Sequence, residues 1–483
     1  MTIERTWYPT DKCFINGDWV DPANAATLPI ENPSTGETIG SIARGSEEDI
    51  HQAVLAARGA YEGEWGHTSA VERGRLLTAI GNMVLEHADD LAFLEACDVG
   101  KPLSQARADV KALARYMEFY AGAADKMHGE TIPFMDGYTV YTLREPHGVT
   151  GHIVPWNYPM QILGRNIGAA LAMGNACVLK PAEDASLTAL AIAEIAKEVD
   201  VPSGVINVVP GLGNEAGAAL TSHPDINHIS FTGSVPTGEM VQAAASKNVV
   251  PVVLELGGKS PQLVFDDVDL DKALPFLVGP GIQNAGQTCS AASRILIQKG
   301  VYGTVCEAMA ERYSNLKVGP AIEDHDVGPL ISAKQKRIVD GMMNQAPHAP
   351  IAEGNIVESA PSSGHYVSPK LFADMPPDHL LSQNEIFGPV QCLIPFEDEE
   401  EAIAIANGTQ FGLVSSIWTE NGARQMRLAR KLRSGQVFVN NYGAGGGVEL
   451  PFGGMGKSGH GREKGFEALY GMSTLKTVAV KHD

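Results

Sequence analysis

Between residues 149 and 254 the chain carries five short apolar runs, at 149–154, 176–179, 205–209, 227–231 and 250–254, whose starts lie 22 to 29 residues apart. Helical stretches at 186–199 and 235–245 separate them. Runs this apolar suit strands buried on both faces, and the spacing leaves room for the crossover helix that parallel pairing needs. The pattern predicts a doubly wound α/β sheet. A second series follows, with strands near 294–298, 390–396, 413–418 and 436–440 alternating with helices near 399–406 and 421–432. Two α/β units in series enclose a cleft, and 483 residues exceed what one core usually holds, so two or three domains are expected.

The first 125 residues read as substantially helical. Ser46 opens an acidic first turn followed by Ile50, Ala53, Val54, Ala57 and Tyr61, and Ser69 with Glu72 makes a capping box ahead of Leu76, Ile80, Met83 and Val84. The alternation over 139–144 predicts a strand with one polar face, isolated enough to be an arm. Residues 344–365, rich in Pro, Ala, Ser and Gly, read as a surface loop, and the acidic run Glu397–Glu401 as a solvated helix start. With 36 basic against 57 acidic residues the net charge is −21, which argues against nucleic acid or an anionic membrane as partners. Residues 1–20 hold no apolar signal core, and the apolar stretch 167–179 is too short to span a bilayer. The six cysteines are far apart with no metal-ligand spacing, so free thiols in a reducing cytoplasm, and no metal, are expected.

Two Gly-Lys-Ser tripeptides, at 258–260 and 456–458, lack the upstream glycine of a phosphate loop, since Val253 and Pro451 stand there. Phe231-Thr232-Gly233-Ser234 joins a strand to a helix, where Gly233 lets a diphosphate approach backbone N–H groups and Ser234 offers a hydroxyl; a plain turn is the competing reading. Lys180-Pro181-Ala182-Glu183 ends another strand, placing Lys180 and Glu183 where ribose hydroxyls bind or, more simply, where a turn needs them. Cys289 lies in the small polar context Gly286-Gln287-Thr288-Cys289-Ser290, unlike the other five cysteines, which read as apolar fillers. Glu255, inside the apolar run Leu254-Glu255-Leu256, is a carboxyl whose burial would raise its pKa and suit it to general-base work. The Asn157 amide, in Pro155-Trp156-Asn157-Tyr158, either donates to an oxyanion or fixes a turn.

Together, in this order, and with Phe14-Ile15-Asn16-Gly17, Glu385-Ile386-Phe387-Gly388-Pro389 and Pro451-Phe452-Gly453-Gly454, these motifs make the sequence resemble the NAD(P)-dependent aldehyde dehydrogenase superfamily over essentially its whole length. The resemblance implies a Rossmann-type cofactor domain (1–122 and 147–257), an α/β catalytic domain (258–450) and a small β bridging arm (123–146 and 463–483) that joins a homodimer or homotetramer. It implies that Cys289 attacks the aldehyde, that Asn157 and the Cys289 N–H hold the oxyanion, that Glu255 activates the hydrolytic water and that Glu463 relays its proton. Trp156, Lys180, Glu183, Gly233, Ser234, Leu256, Glu385 and Phe387 match cofactor contacts. With a carboxylate at Glu183 facing the ribose 2′ position, NAD is expected over NADP.

Positions resembling the family's substrate tunnel hold Tyr158, Gln161, Ile162, Arg165, Gln283, Thr288, Ser290 and Phe452. Arg165, expected at the tunnel mouth, either clamps a substrate carboxylate or pairs with a nearby acid. The expected substrate is a polar or carboxylate-bearing aldehyde, such as a semialdehyde, or a substituted aromatic one. The competing functions are a CoA-acylating dehydrogenase, against which Glu255 argues, and a non-catalytic protein on the same fold, against which the intact catalytic positions argue.

Overall fold

The computed structural model describes residues 6–482. Five parallel strands form the centre of an eight-stranded sheet, in the order Ile206–Val208, Ala176–Pro181, Val149–Val154, His228–Thr232, Val252–Glu255. Chain order runs outward from Val149–Val154 in both directions, so the topological switch point lies between it and His228–Thr232. Antiparallel edges close the sheet, Cys13–Ile15 and Asp18–Val20 on one side and Gly459–His460 on the other. Helices Pro159–Met173 and Leu187–Glu198 are almost wholly buried, which is why both strand and helix read as near-continuous apolar runs.

The second sheet has seven strands, in the order Ala352–Glu353, Lys370–Phe372, Val390–Phe396, Arg294–Gln298, Pro261–Val264, Val414–Trp418, Gln436–Val439. Its own apolar core gathers Leu263, Ile295, Leu393 and Ile417. A three-stranded antiparallel sheet stands apart, in which Tyr138–Pro146 pairs on one side with Ser473–Lys481 and on the other with Thr131–Ile132. The helix Gly465–Gly471, ahead of that last strand, packs beside Pro159–Met173. Residues 1–5 and 483, at the ends of two of the segments assigned above, lie outside the described residues.

Four expectations need correction. The first 125 residues also contain two hairpins, Cys13–Ile15 with Asp18–Val20 and Thr27–Asn32 with Glu37–Ala43. The first turns on Asn16 and Gly17, both at positive φ, the pairing that a two-residue hairpin turn demands. The 344–365 segment is not all loop, because Ala352–Glu353 adds an edge to the second sheet. Pro261–Val264 lies inside that sheet yet escaped notice, being four residues long and opening on a proline, which a strand tolerates at its first position. Cys306, expected to be buried, is half-buried, and all six cysteines are free. Among the described residues no helix is long and apolar enough to cross a membrane, and no cluster has the makings of a metal site.

Three histidines, His147 just before the strand Val149–Val154, His152 within it and His228 at the start of the neighbouring strand, lie close together. His147 and His228 have ring centroids 4.9 Å apart, His152 accepts or donates to Thr150 Oγ1 at 2.8 Å, and His147 Nε2 contacts the Gly471 carbonyl at 3.0 Å. Burial holds all three below the usual imidazole range, His152 down to about 3. They fold neutral, so below the unfolded value of about 6.5 the unfolded chain binds more protons and stability falls, for His152 by up to about 1.4 kcal/mol per pH unit. Urea denaturation at pH 7.5 and 5.5 should therefore show a smaller acid-induced loss in His152→Gln than in the unsubstituted protein; equal losses would refute this account.

Candidate active site

Four of the five parallel strands deliver, at or just beyond their carboxyl ends, residues singled out in the sequence. After Val149–Val154 come Trp156 and Asn157; Ala176–Pro181 ends on Lys180 and leads to Glu183; His228–Thr232 leads to Gly233 and Ser234; Glu255 is the last residue of its strand. The Gly233 N–H donates to the Glu255 carbonyl at 3.0 Å, locking the last two ends together.

Cys289 sits half-exposed at the end of a strained turn. Asn284, Ala285 and Gly286 are successively left-handed, with φ of 49°, 55° and 72°. Such a conformation costs an L-residue about 1–2 kcal/mol. The turn is held by Asn284 Nδ2 donating to the Asn157 carbonyl at 2.9 Å, Gln287 Nε2 to the Asn284 carbonyl at 3.0 Å, and the Ile331 N–H to Gln287 Oε1 at 2.9 Å. Gly286 has no alternative, because a Cβ there would lie 2.1 Å from the Gly388 carbonyl oxygen. Asn157 is buried and donates one amide N–H to the Gln287 carbonyl at 3.0 Å, and a primary amide keeps a second N–H for another acceptor. Asn284 and Gln287 were not anticipated; nothing in their spacing marks them, and only the strained turn gives them work.

Burial, with the charges of Glu385 and Glu255, pushes the Cys289 thiol up to about 12, against the opposing pull of Arg165. Glu255 is 1% exposed, neither of its carboxyl oxygens has a hydrogen-bond partner, and burial together with Glu463 raises it well above the usual carboxylate range. Gly453 must be glycine beside it, since a Cβ would meet Glu255 Oε1 at 2.6 Å. Glu463, also buried and raised, accepts from Ser230 Oγ at 3.1 Å and exchanges backbone hydrogen bonds with Phe452.

Arg165 is not at an open mouth. It is 7% exposed, its Nε forms an ion pair with Glu463, and its guanidinium lies over the Phe452 ring at 5.0 Å. The acid-pairing alternative is thus realised, while Nη2 remains buried without a partner. Tyr158 is half-buried and hydrogen-bonds Thr288 Oγ1 at 3.0 Å; Gln161 Nε2 donates to Asp109 at 2.6 Å; the Ser290 carbonyl accepts from the Tyr442 hydroxyl. Gln283 is exposed.

On the cofactor side, Lys180 is buried and its ammonium donates to Glu183 at 2.9 Å; burial is outweighed there by Lys180, which holds Glu183 below its ordinary range. Ser234 caps the twelve-residue helix Val235–Ser246, whose first turn presents N–H groups to an anion. Leu256 is buried against Gly238, where a Cβ would come within 2.6 Å of it. Glu385 accepts from the Gly258 N–H at 3.1 Å, and burial raises it to about 7. Phe387 packs edge-on to Trp156 with centroids 5.2 Å apart. A partly buried carboxylate, a capped helix start and an aromatic pair at three successive strand ends fit a dinucleotide.

The thiol's high pKa makes alkylation a direct probe. Iodoacetamide should modify the Cys289 peptide, followed by mass spectrometry, about tenfold faster per pH unit from pH 7 to 9 without levelling, and Arg165→Leu should slow it throughout. A plateau below pH 9 would contradict the assignment.

The aldehyde dehydrogenase family model matches residues 19–478. An Arabidopsis thaliana relative, aldehyde dehydrogenase family 2 member B4, mitochondrial, is 42% identical over 96% of this chain and 87% of its own length. The crystal structure of a candidate aldehyde dehydrogenase from Burkholderia cenocepacia is 60% identical, with a TM-score of 0.97 over 98% of this chain and all of that one. An NAD+ complex of aldehyde dehydrogenase from Bacillus cereus superposes with a TM-score of 0.95 at 38% identity, covering 98% of this chain and 97% of that one. With its fold, its motifs and its relatives in agreement over nearly the full length, the chain belongs to the aldehyde dehydrogenase family, oxidoreductases acting on the aldehyde group.

Proposed function

We propose that the protein oxidises a polar or carboxylate-bearing aldehyde, such as a semialdehyde or a substituted aromatic aldehyde, to the acid with NAD, using Cys289 as nucleophile. The observation that carries this reading is the convergence of Cys289, Asn157 and Glu255 at the strand ends, each with a donor or acceptor left free. The Cys289 thiol gives up its proton to solvent, and the thiolate attacks the carbonyl carbon, whose C=O electron pair moves onto oxygen. The free Asn157 N–H and the Cys289 backbone N–H receive the oxyanion, each such donor being worth about 3–4 kcal/mol. NAD, when bound, supplies the hydride acceptor. Glu255 then takes a proton from the water that cleaves the thioester. Its raised pKa makes it a strong base once ionised, and Glu463 lies beside it to pass the proton on. A water-activating carboxyl favours hydrolysis over transfer to CoA.

In this reading residues 1–122 and 147–257 bind the cofactor and 258–450 carry the thiol, with 123–146 and 463–483 forming the arm that joins a homodimer or homotetramer. Exposed Ile132, Leu143, Leu475 and Val480 on that arm support such a contact. Six free cysteines are in keeping with a cytoplasmic protein. Lys180 and Glu183 face the adenosine ribose, Gly233 and Ser234 the diphosphate, and Trp156, Leu256, Glu385 and Phe387 the nicotinamide half. Glu183, kept ionised by Lys180, would repel a 2′-phosphate, so NAD is preferred over NADP. Tyr158, Gln161, Thr288, Ser290 and Phe452 line the aldehyde's path, and the unpartnered Arg165 Nη2 supports an anionic group on the substrate.

Cys289→Ala should abolish aldehyde-dependent NADH formation, and Asn157→Ala should lower kcat about 10²- to 10³-fold; undiminished turnover without the thiol would overturn the mechanism. In steady-state assays over aliphatic, aromatic and carboxylated aldehydes with both cofactors, kcat/KM should be higher with NAD. Arg165→Leu weakens every reaction by stranding Glu463, so the informative quantity is the ratio of carboxylated to neutral substrates. That ratio should fall, and an unchanged ratio would remove Arg165 from substrate recognition.

A further inference from the structure

Residues at and just before the start of the helix Leu103–Ala123 form a chain of contacts that ends next to Cys289. Lys101 is fully buried, with its ammonium held by the carboxylates of Glu95 and Asp109. Two acids around one ammonium would leave a surplus negative charge. Burial, with the neighbouring Asp109, raises Glu95 well above the carboxylate range against the opposing pull of Lys101.

The ammonium also lies 4.0 Å from the centroid of the Tyr158 ring. With Lys101 fully buried, that contact orients the ring as well as attracting it, since the cation must face the π surface. The Tyr158 hydroxyl is 3.0 Å from Thr288 Oγ1, and Thr288 immediately precedes Cys289. Two further contacts run from the same helix in the same direction. Asp109 Oδ1 accepts from Gln161 Nε2 at 2.6 Å, and Gln105 Oε1 accepts from the Asn284 N–H, at the start of the left-handed turn, at 3.0 Å. Nothing in the chemistry of aldehyde oxidation calls for a charge at Lys101, yet a buried ammonium is a costly way to fill space that an apolar side chain would fill better.

We propose that Lys101 is a positioning residue for the reacting thiol: it fixes the Tyr158 ring, and Tyr158 through Thr288 fixes Cys289. The inference rests on Cys289 being the nucleophile. Attack needs the sulfur in a near-attack position, and a displacement of about 1 Å costs about a hundredfold in rate. The strained turn ahead of Cys289 makes such drift easy once one of its anchors is gone.

The test is a double-substitution cycle between Lys101→Met and Tyr158→Leu, read as kcat, KM and the alkylation rate of Cys289 by iodoacetamide, with NADH binding as a check on folding. Lys101→Met should lower kcat/KM about tenfold or more, mainly through kcat, and slow alkylation. In the Tyr158→Leu protein the same change should cost less than about twofold, because the ring that transmits it is absent. Lys101→Arg, which keeps charge and ring contact, should recover most of the activity. Should Lys101→Met fail to fold, Asp109→Asn loosens the ammonium without removing it, and its loss should likewise vanish in the Tyr158→Leu background. Unchanged kinetics, or an equal loss with and without the Tyr158 ring, would overturn the proposal. Activity surviving Cys289→Ala would instead overturn the reading beneath it, so the two failures are distinguishable.

Discussion

Parallel pairing of five strands around Val149–Val154 is the constraint on which the rest depends. Parallel strands cannot be joined by tight turns, so each must be followed by a crossover, and every crossover leaves from the same edge of the sheet. That edge is where Asn157, Lys180, Glu183, Ser234 and Glu255 emerge. Residues up to about a hundred positions apart in sequence therefore become neighbours without any contact having been arranged for the purpose. The second sheet then presents Cys289 and Glu385 to the same edge, through Glu385 and the Gly258 N–H and through the Cys289 carbonyl packed on Gly258.

The seam between the sheets buries Arg165, Glu255 and Glu463, and their charges set one another. Arg165 is paired with Glu463 and acts on both Glu255 and the thiol, while Glu255 and Glu463 raise each other's cost of ionisation. A carboxyl with no hydrogen-bond partner in such a place is a poor contributor to stability and a well-tuned base. The same holds for the left-handed turn before Cys289, which is maintained by Asn157, Gln105, Gln287 and Ile331 against its own backbone preference. Stability elsewhere carries these costs: two large apolar cores flank the seam, one gathered around the first sheet and one around the second.

Much of this was legible in the chain. The strand and helix series from 149 onward appears within a residue or two of its expected bounds, because strands buried on both faces must be apolar throughout. Ser69 and Glu72 form their reciprocal cap, and Glu397–Glu401 is a helix start with Asp398 as its cap. The misses share a cause. Pro261–Val264 and Ala352–Glu353 are strands only because a neighbouring strand offers hydrogen bonds to a segment of weak intrinsic preference. The hairpin at Asn16-Gly17 did carry a turn signal, but the run on either side is three residues long.

The chemistry divides in the same way. Cys289, Glu255 and Asn157 stand out in the sequence because a reactive or ionisable group in an apolar or glycine-rich setting is locally anomalous. Lys101 and Asp109 do not, and Arg165 is marked only with its two possible roles left open, since a charged residue's role depends on what faces it across the fold. Local sequence determined the periodicity, the turns and the identity of the reactive groups, for these follow from neighbours along the chain. Only the tertiary structure decided that Arg165 turns inward to Glu463, that Lys101 lies against Tyr158, and which amide N–H of Asn157 is already taken. Burial and pairing are properties of distances in space, and no spacing along the chain encodes them.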